Sequence, residues 1–231
     1  MFINFYHGTI RKLVTAFGTL FNNIYIVRND GTTSKKIKVP LIYSPKEKFV
    51  HRLNLDVDKT MVQTILPRMG FSITNMSYDS DRKKNSLNKR WKQDVGTNDD
   101  ITFQYRYEDV PYNIDFELYI YARNIDDGLQ VVEQILPFFT PDFTITIKPK
   151  VLNNALEKVD IPIILNQITP NEVYDQKFSE DTRMLTWDLQ FTAKANLYGP
   201  VRNSSSIIKD VKVNLFDFDE VWTWLIKNMQ Q

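Results

Sequence analysis

No cysteine occurs among the 231 residues. Disulfides, thiolate zinc sites, iron–sulfur clusters and Cys nucleophiles are therefore excluded, and a reducing compartment fits. Histidine is nearly absent: His7 and His51 stand alone and cannot form a paired metal motif on a helix. The seven glycines are scattered, so there is no phosphate-cradling loop and no nucleophile elbow. No stretch reaches the ~18 apolar residues of a membrane span. Arg11 and Lys12 interrupt the N-terminal apolar pattern, which reads against a signal peptide. An excess of one charge is missing too. Lys+Arg is 29 against 28 Asp+Glu, net +1, which argues against a globally basic nucleic-acid coat.

What the chain does have is core material: 42% hydrophobic and 13% aromatic residues with 25% charged. Residues 1–231 read as a single domain, since one domain takes ~100–200 residues. Phe2, Tyr6, Ile10, Leu13, Phe17 and Leu20 recur at helical spacing and predict an opening helix. Ile24 to Val27 and Ile37 to Tyr43 flank an Asn29-Asp30-Gly31 turn and predict a hairpin, bent or at an edge at Pro40. Thr60 to Pro67 reads as a short helix or turn, and Phe71, Ile73 and Asn75 begin an extended run. The clearest strand is Tyr112 to Ile120, with Tyr112, Ile114, Phe116, Leu118 and Ile120 on one face. Leu185 to Ala193 alternates as plainly. Ile101 to Tyr107, Phe143 to Ile147, Val159 to Leu165 and, more weakly, Val211 to Leu215 repeat the pattern. Asp126-Asp127 opens a helix with buried stripe Leu129, Val132, Ile135 and Leu136, ended by Pro137. Phe218 to Ile226 closes the chain at helical spacing. The fold class is α+β: a mixed, mostly antiparallel sheet with a few helices packed on one face.

Candidate chemistry is sparse. His51 lies near Asp56 and Asp58, and the acidic groups Asp79/Asp81, Asp99/Asp100 and Asp217/Asp219/Glu220 lack the spaced ladder of a calcium loop. We expect no enzyme activity, no metal and no cofactor. The sharpest charge feature is Arg82, Lys83, Lys84, Lys89, Arg90 and Lys92, read as a basic loop within residues 82–100. It could grip phosphates with Trp91 stacking, making a nucleic-acid-binding module, or meet an acidic protein surface. A solvated loop balanced by nearby aspartates is the plainer reading. Trp222 suits the chain's own core, while Trp224, off the main stripe, suits a partner contact.

Three segments carry a resemblance: Val39-Pro40-Leu41-Ile42-Tyr43-Ser44-Pro45-Lys46-Glu47-Lys48-Phe49, Gln63-Thr64-Ile65-Leu66-Pro67-Arg68, and the run from Gln130 through Leu136-Pro137-Phe138-Phe139-Thr140-Pro141 to Phe143. The opening helix and Arg183 to Phe191 with Trp187, Tyr198 and Pro200 agree. Together they resemble the tail sheath stabiliser and completion protein of T-even-type contractile-tailed bacteriophages, from the N-terminus to about Pro200. The 82–100 loop is more cationic than that family's, and residues 201–231 diverge to a strand and helix.

The resemblance implies a structural virion protein made in the host cytoplasm. It implies a homo-hexameric tail terminator ring that caps the sheath at its head-proximal end. Implied partners are the tail sheath protein, the tail tube or its terminator, and neck or head-completion proteins, with genomic DNA passing through the lumen unbound and no membrane. Ring contacts would be heterologous. Lys46, Glu47 and Arg68 are candidate inter-subunit ion-pair residues, with intrachain pairing as the alternative. Glu133, with Asp126 and Asp127, reads as a solvated helix face or a lumen rim. Edge strands such as Ile37 to Tyr43 could add strands to neighbours.

Overall fold

The computed structural model describes residues 4–30, 33–48, 66–95, 101–149, 158–173, 184–204 and 229. Its helices are α1 (Thr9–Leu20) and α2 (Ile125–Ile135), with a 3-10 turn at Leu136–Phe138 and helical residues at 46–48. The strands are β1 (Tyr25–Asp30), β2 (Thr33–Lys38), β3 (Leu41–Tyr43), β4 (Arg68–Tyr78), β5 (Lys89–Val95), β6 (Ile101–Tyr107), β7 (Val110–Ala122), β8 (Asp142–Ile147), β9 (Val159–Val173), β10 (Met184–Leu197) and β11 (Arg202–Ser204). The predicted 211–215 strand and the 218–226 helix, with Trp222 and Trp224, lie outside the described residues. So do His51, 60–65 and 96–100.

Alternation builds the sheet. β7 and β10 pair antiparallel from Leu185↔Ala122 to Leu197↔Val110 without a break. Side chains alternate across a strand, so Ile114, Phe116, Leu118 and Ile120 share one face with Leu189, Phe191 and Ala193, all buried. Around this pair the order is β3-β4-β7-β10-β9-β8, antiparallel except for β3 beside β4. The class is the expected one: α+β, mixed and mostly antiparallel. Pro40 marks the predicted bend. β1 and β2 form their own hairpin, and after Pro40 the chain joins the large sheet as its edge strand β3.

Both long helices cover the apolar face. Phe17 of α1 is fully buried among Phe21, Phe71, Phe116 and Phe191, stacking on Phe116 at 4.4 Å between centroids. The helix starts at Thr9, later than its sequence pattern suggested. Gly8 holds φ 65°, a left-handed conformation that glycine tolerates and a right-handed helix does not continue through. Tyr6 therefore falls outside the helix and is 78% exposed.

Helix α2 begins with Asp126 and Asp127 in its first turn, as expected. Its buried stripe is rotated from the predicted one. Asp127, Gly128, Val131, Val132 and Ile135 are buried, while Leu129 and Leu136 are exposed. Gly128 sets that rotation, because a Cβ there would lie 2.7 Å from Trp187 Nε1. The helix thus approaches the sheet on its glycine side. Gly128→Ala should gain about 1 kcal/mol of helix propensity and lose ~1–3 kcal/mol to overpacking against a rigid indole. The expected net is a loss of about 1 kcal/mol, read as a lower urea midpoint at unchanged m-value.

Candidate interaction surfaces

The second face of the sheet is polar but not all solvated. Lys46, on the helical turn at 46–48, reaches over it and donates to Asp188 Oδ2 at 2.5 Å, where Asn171 Nδ2 also donates at 2.7 Å. The same ammonium lies 5.5 Å from the Tyr119 ring centroid. Tyr119 and Tyr121 are buried there with Leu66 packed on them. Burial raises both phenols, Tyr119 to about 12. Lys46 is thus engaged within its own chain. Neighbouring Glu47 is exposed. Arg68 opens β4 opposite Tyr121 and is half-buried.

Further along this face, two bulges occur at one level. Thr74 is the extra residue of β4 against β7, and Asn166 is the extra residue of β9 against β10. A bulge re-aims side chains. Thr74 Oγ1 donates to the Asp115 carbonyl, Asn166 Nδ2 donates to Thr192 Oγ1, and Thr192 Oγ1 donates to Asp115 Oδ1 at 2.7 Å. The result is a polar hollow of about 270 Å³ floored by strand backbone.

The basic run 82–92 is not one loop. Residues 79–88 turn, and Lys89, Arg90 and Lys92 then lie on strand β5, paired with β6. Three of its six cations are matched to carboxylates. Arg82 binds Asp79 at 2.6 Å and also donates to the Lys194 and Tyr112 carbonyls. Lys84 bonds Asp109 at 3.0 Å, and Arg90 bonds Glu108 at 2.6 Å. Lys83 is exposed and Lys92 half-buried. Sequence proximity pointed to nearby aspartates as counter-charges. Asp79 serves Arg82 as expected, whereas Glu108 and Asp109 serve Lys84 and Arg90 because the fold brings them alongside.

Lys89 faces a different side. Its ammonium lies 4.9 Å from the Tyr105 centroid, 5.8 Å from Tyr107 and 6.0 Å from Trp91. Arg202 of β11 lies 5.9 Å from Tyr107. The alternation of β6 was legible, but its alignment with Trp91 was not.

An exposed apolar stripe runs along one flank of α2. Ile125, Leu129 and Leu136 are exposed at four- and seven-residue spacing, and Phe138 beyond them is 66% exposed. Glu133 is exposed on the same helix. Beside this stripe a groove of about 450 Å³ is lined by Leu20, Phe21, Ile24, Ile135, Phe139 and Phe143. Other side chains of α2 fasten the hairpin. Gln130 exchanges hydrogen bonds with the Val27 backbone and Gln134 with that of Tyr25, while Arg28 binds buried Asp127 at 2.6 Å. Asp127, expected on a solvated face, is instead an internal anchor, because the rotated helix turns it inward.

The match to known proteins now bears on these surfaces. Residues 4–227 fit the family described as T4-like virus Myoviridae tail sheath stabiliser. The chain belongs to that family. It is 34% identical over 215 residues to the tail completion protein gp15 of Enterobacteria phage T4, covering 90% of this chain and 77% of that protein. The match extends past Pro200, where the resemblance read from motifs stopped. The chain is a structural protein of a phage tail, a virion component, and its family is not one of enzymes. No helix among the described residues is long and apolar enough to cross a membrane.

The acid pairs make a pH prediction. Hydrogen bonding to Arg82 holds the Asp79 carboxyl below its ordinary range. Burial pushes Asp109 up, but hydrogen bonds with Glu108 and Lys84 outweigh it and hold it low. A depressed carboxyl adds stability that is complete above its unfolded pKa, about 4, and that is lost as pH falls through the folded value. Urea midpoints should therefore drop on acidification below about pH 4. Arg82→Gln should flatten that acid limb. An unchanged limb would show that Asp79 does not carry it.

Proposed function

We propose that the chain forms a homo-hexameric terminator ring that caps the head-proximal end of the contractile sheath and joins the tail to the neck. Family membership over residues 4–227 is the observation that carries this reading. The relative's name, tail completion protein, fits a component added as the tail is finished. In this reading the sheath protein, the tube or its terminator and the neck proteins are partners, and the genome passes through the lumen without specific binding.

A closed ring needs two unlike surfaces on each protomer. The exposed stripe Ile125, Leu129, Leu136 and Phe138 supplies one, since clustered apolar side chains mark contacts. Glu133, Glu47 and Lys83 are exposed and free to set register at its rim or at the sheath. Trp224, outside the described residues, remains a candidate anchor. The neutralisation of Arg82, Lys84 and Arg90 favours this reading over a nucleic-acid module built on 82–92.

Light scattering should give a mass of six chains, either for the free protein or after mixing with assembled sheath on its tube, and negative-stain images should show a central hole. Leu129→Asp with Phe138→Asp should abolish the ring while circular dichroism stays unchanged. A protein that stays monomeric and fails to cap sheath ends would overturn the proposal.

A further inference from the structure

The small sheet β11-β6-β5 stands apart from the ring reading and carries a surface of its own. Register places Lys89, Trp91, Tyr105, Tyr107 and Arg202 on one face, since directly paired residues share a side. Trp91 is 54% exposed. Trp91 and Tyr105 are tilted by 39° at 4.9 Å, and Tyr105 and Tyr107 meet at 82°. These rings do not form a flat stepped platform. They wrap the Lys89 ammonium, which covers their faces. Among the described residues neither Lys89 nor Arg202 has a carboxylate within ion-pair distance, in contrast to Arg82, Lys84 and Arg90 a few residues away.

The same sheet has an open edge. Among the described residues β5 pairs only with β6. Asn88 accepts from the Glu108 N–H, so Asn88 and the even-numbered positions of β5 turn their backbone toward β6. The amides of Lys89, Trp91 and Gln93 therefore point outward, because a residue's N–H and C=O share one side of a strand.

We propose that this edge and face together dock an extended acidic segment of a partner protein. The segment adds as a strand along β5 and places its carboxylates on Lys89 and Arg202. Main-chain bonds supply affinity and the cation–aromatic cluster supplies selectivity. Charge complementarity argues for an acidic partner: among the described residues, two cations pre-positioned on rings have no carboxylate within ion-pair distance. Ring geometry argues against nucleic acid, because a base would have to displace Lys89 before it could stack. The inference does not rest on the ring reading, and the contact is predicted whether or not the chain closes into a hexamer.

The test uses the full chain and a short fluorescein-labelled peptide alternating Glu and Val, with a Lys–Val peptide and oligo-dT of matching length as comparisons. Fluorescence anisotropy should show the Glu–Val peptide binding and the Lys–Val peptide not. Lys89→Gln with Arg202→Gln should weaken it by about tenfold or more, the scale of losing close charge pairs. Gln93→Pro removes an outward N–H and leaves the pairing with β6 intact. It should weaken binding without altering the circular dichroism spectrum. Equal binding of the two peptides, or no effect of the Lys89/Arg202 pair, would overturn the proposal. So would oligo-dT binding lost in the same variants, which would give the face to nucleic acid, or loss of self-association in place of peptide binding, which would give it to a second copy.

Discussion

Everything in the main body hangs on the pairing of β7 with β10 and on the aromatic face it presents. Phe116 and Phe191 lie opposite each other across those strands, and Phe17 closes over both. Once that face is fixed, α1 must lie across it to bury Phe17, and α2 must approach on its glycine side to clear Trp187. The hairpin then has one place to go, because Gln130 and Gln134 clip the backbone of β1 and Asp127 holds Arg28. A one-residue slip between β7 and β10 would turn either Phe116 or Phe191 to the polar face, breaking their shared face, and undo each later step.

The parts of this design that repeat at short range were visible in the amino-acid order. Alternation in 112–120 and 185–193 gave the central strands, and Pro40 gave the bend. What stayed hidden depends on partners far along the chain. The rotation of α2 is decided by Trp187, which lies 59 residues after Gly128 (187 − 128). Helical spacing alone cannot choose between Leu129 and Val131 as the inward residue. Gly8 delays the start of the opening helix to Thr9, since periodicity runs through it while backbone geometry does not. The basic run misled for a related reason. Lys89, Arg90 and Lys92 look like part of a loop until their register with β6 is known.

Of the site residues, Lys46 shows the limit most clearly. Its position after Ser44-Pro45 marks an element end suited equally to a subunit contact or to an intrachain pair. Asp188, which holds it, comes from the strand that also supplies the core. A half-buried ammonium paired across 142 residues is an internal tether: it fixes the segment after β3 against the polar face. Breaking it would leave Asp188 buried with only Asn171 to solvate it, a costly state. Arg28 with Asp127 and Arg82 with Asp79 are internal tethers of the same kind.

The treatment of strand edges follows the same economy. The backbone of β1 is capped by two glutamine side chains. The outer strand of its hairpin carries exposed Lys35, Lys36 and Lys38, whose charges resist uncontrolled strand addition. β3 has three residues, too few to template a long pairing. Against these guarded edges β5 differs, because it is seven residues long, has no strand on its outer side among the described residues and is flanked by rings. A tail completion protein that ends the sheath, as proposed above, must bind its neighbours and yet not be extended by more copies of itself. In that reading the blunted edges at β2 and β3 and the open edge at β5 serve opposite needs. Association would then use the apolar stripe of α2 and the acidic strand that β5 is proposed to accept.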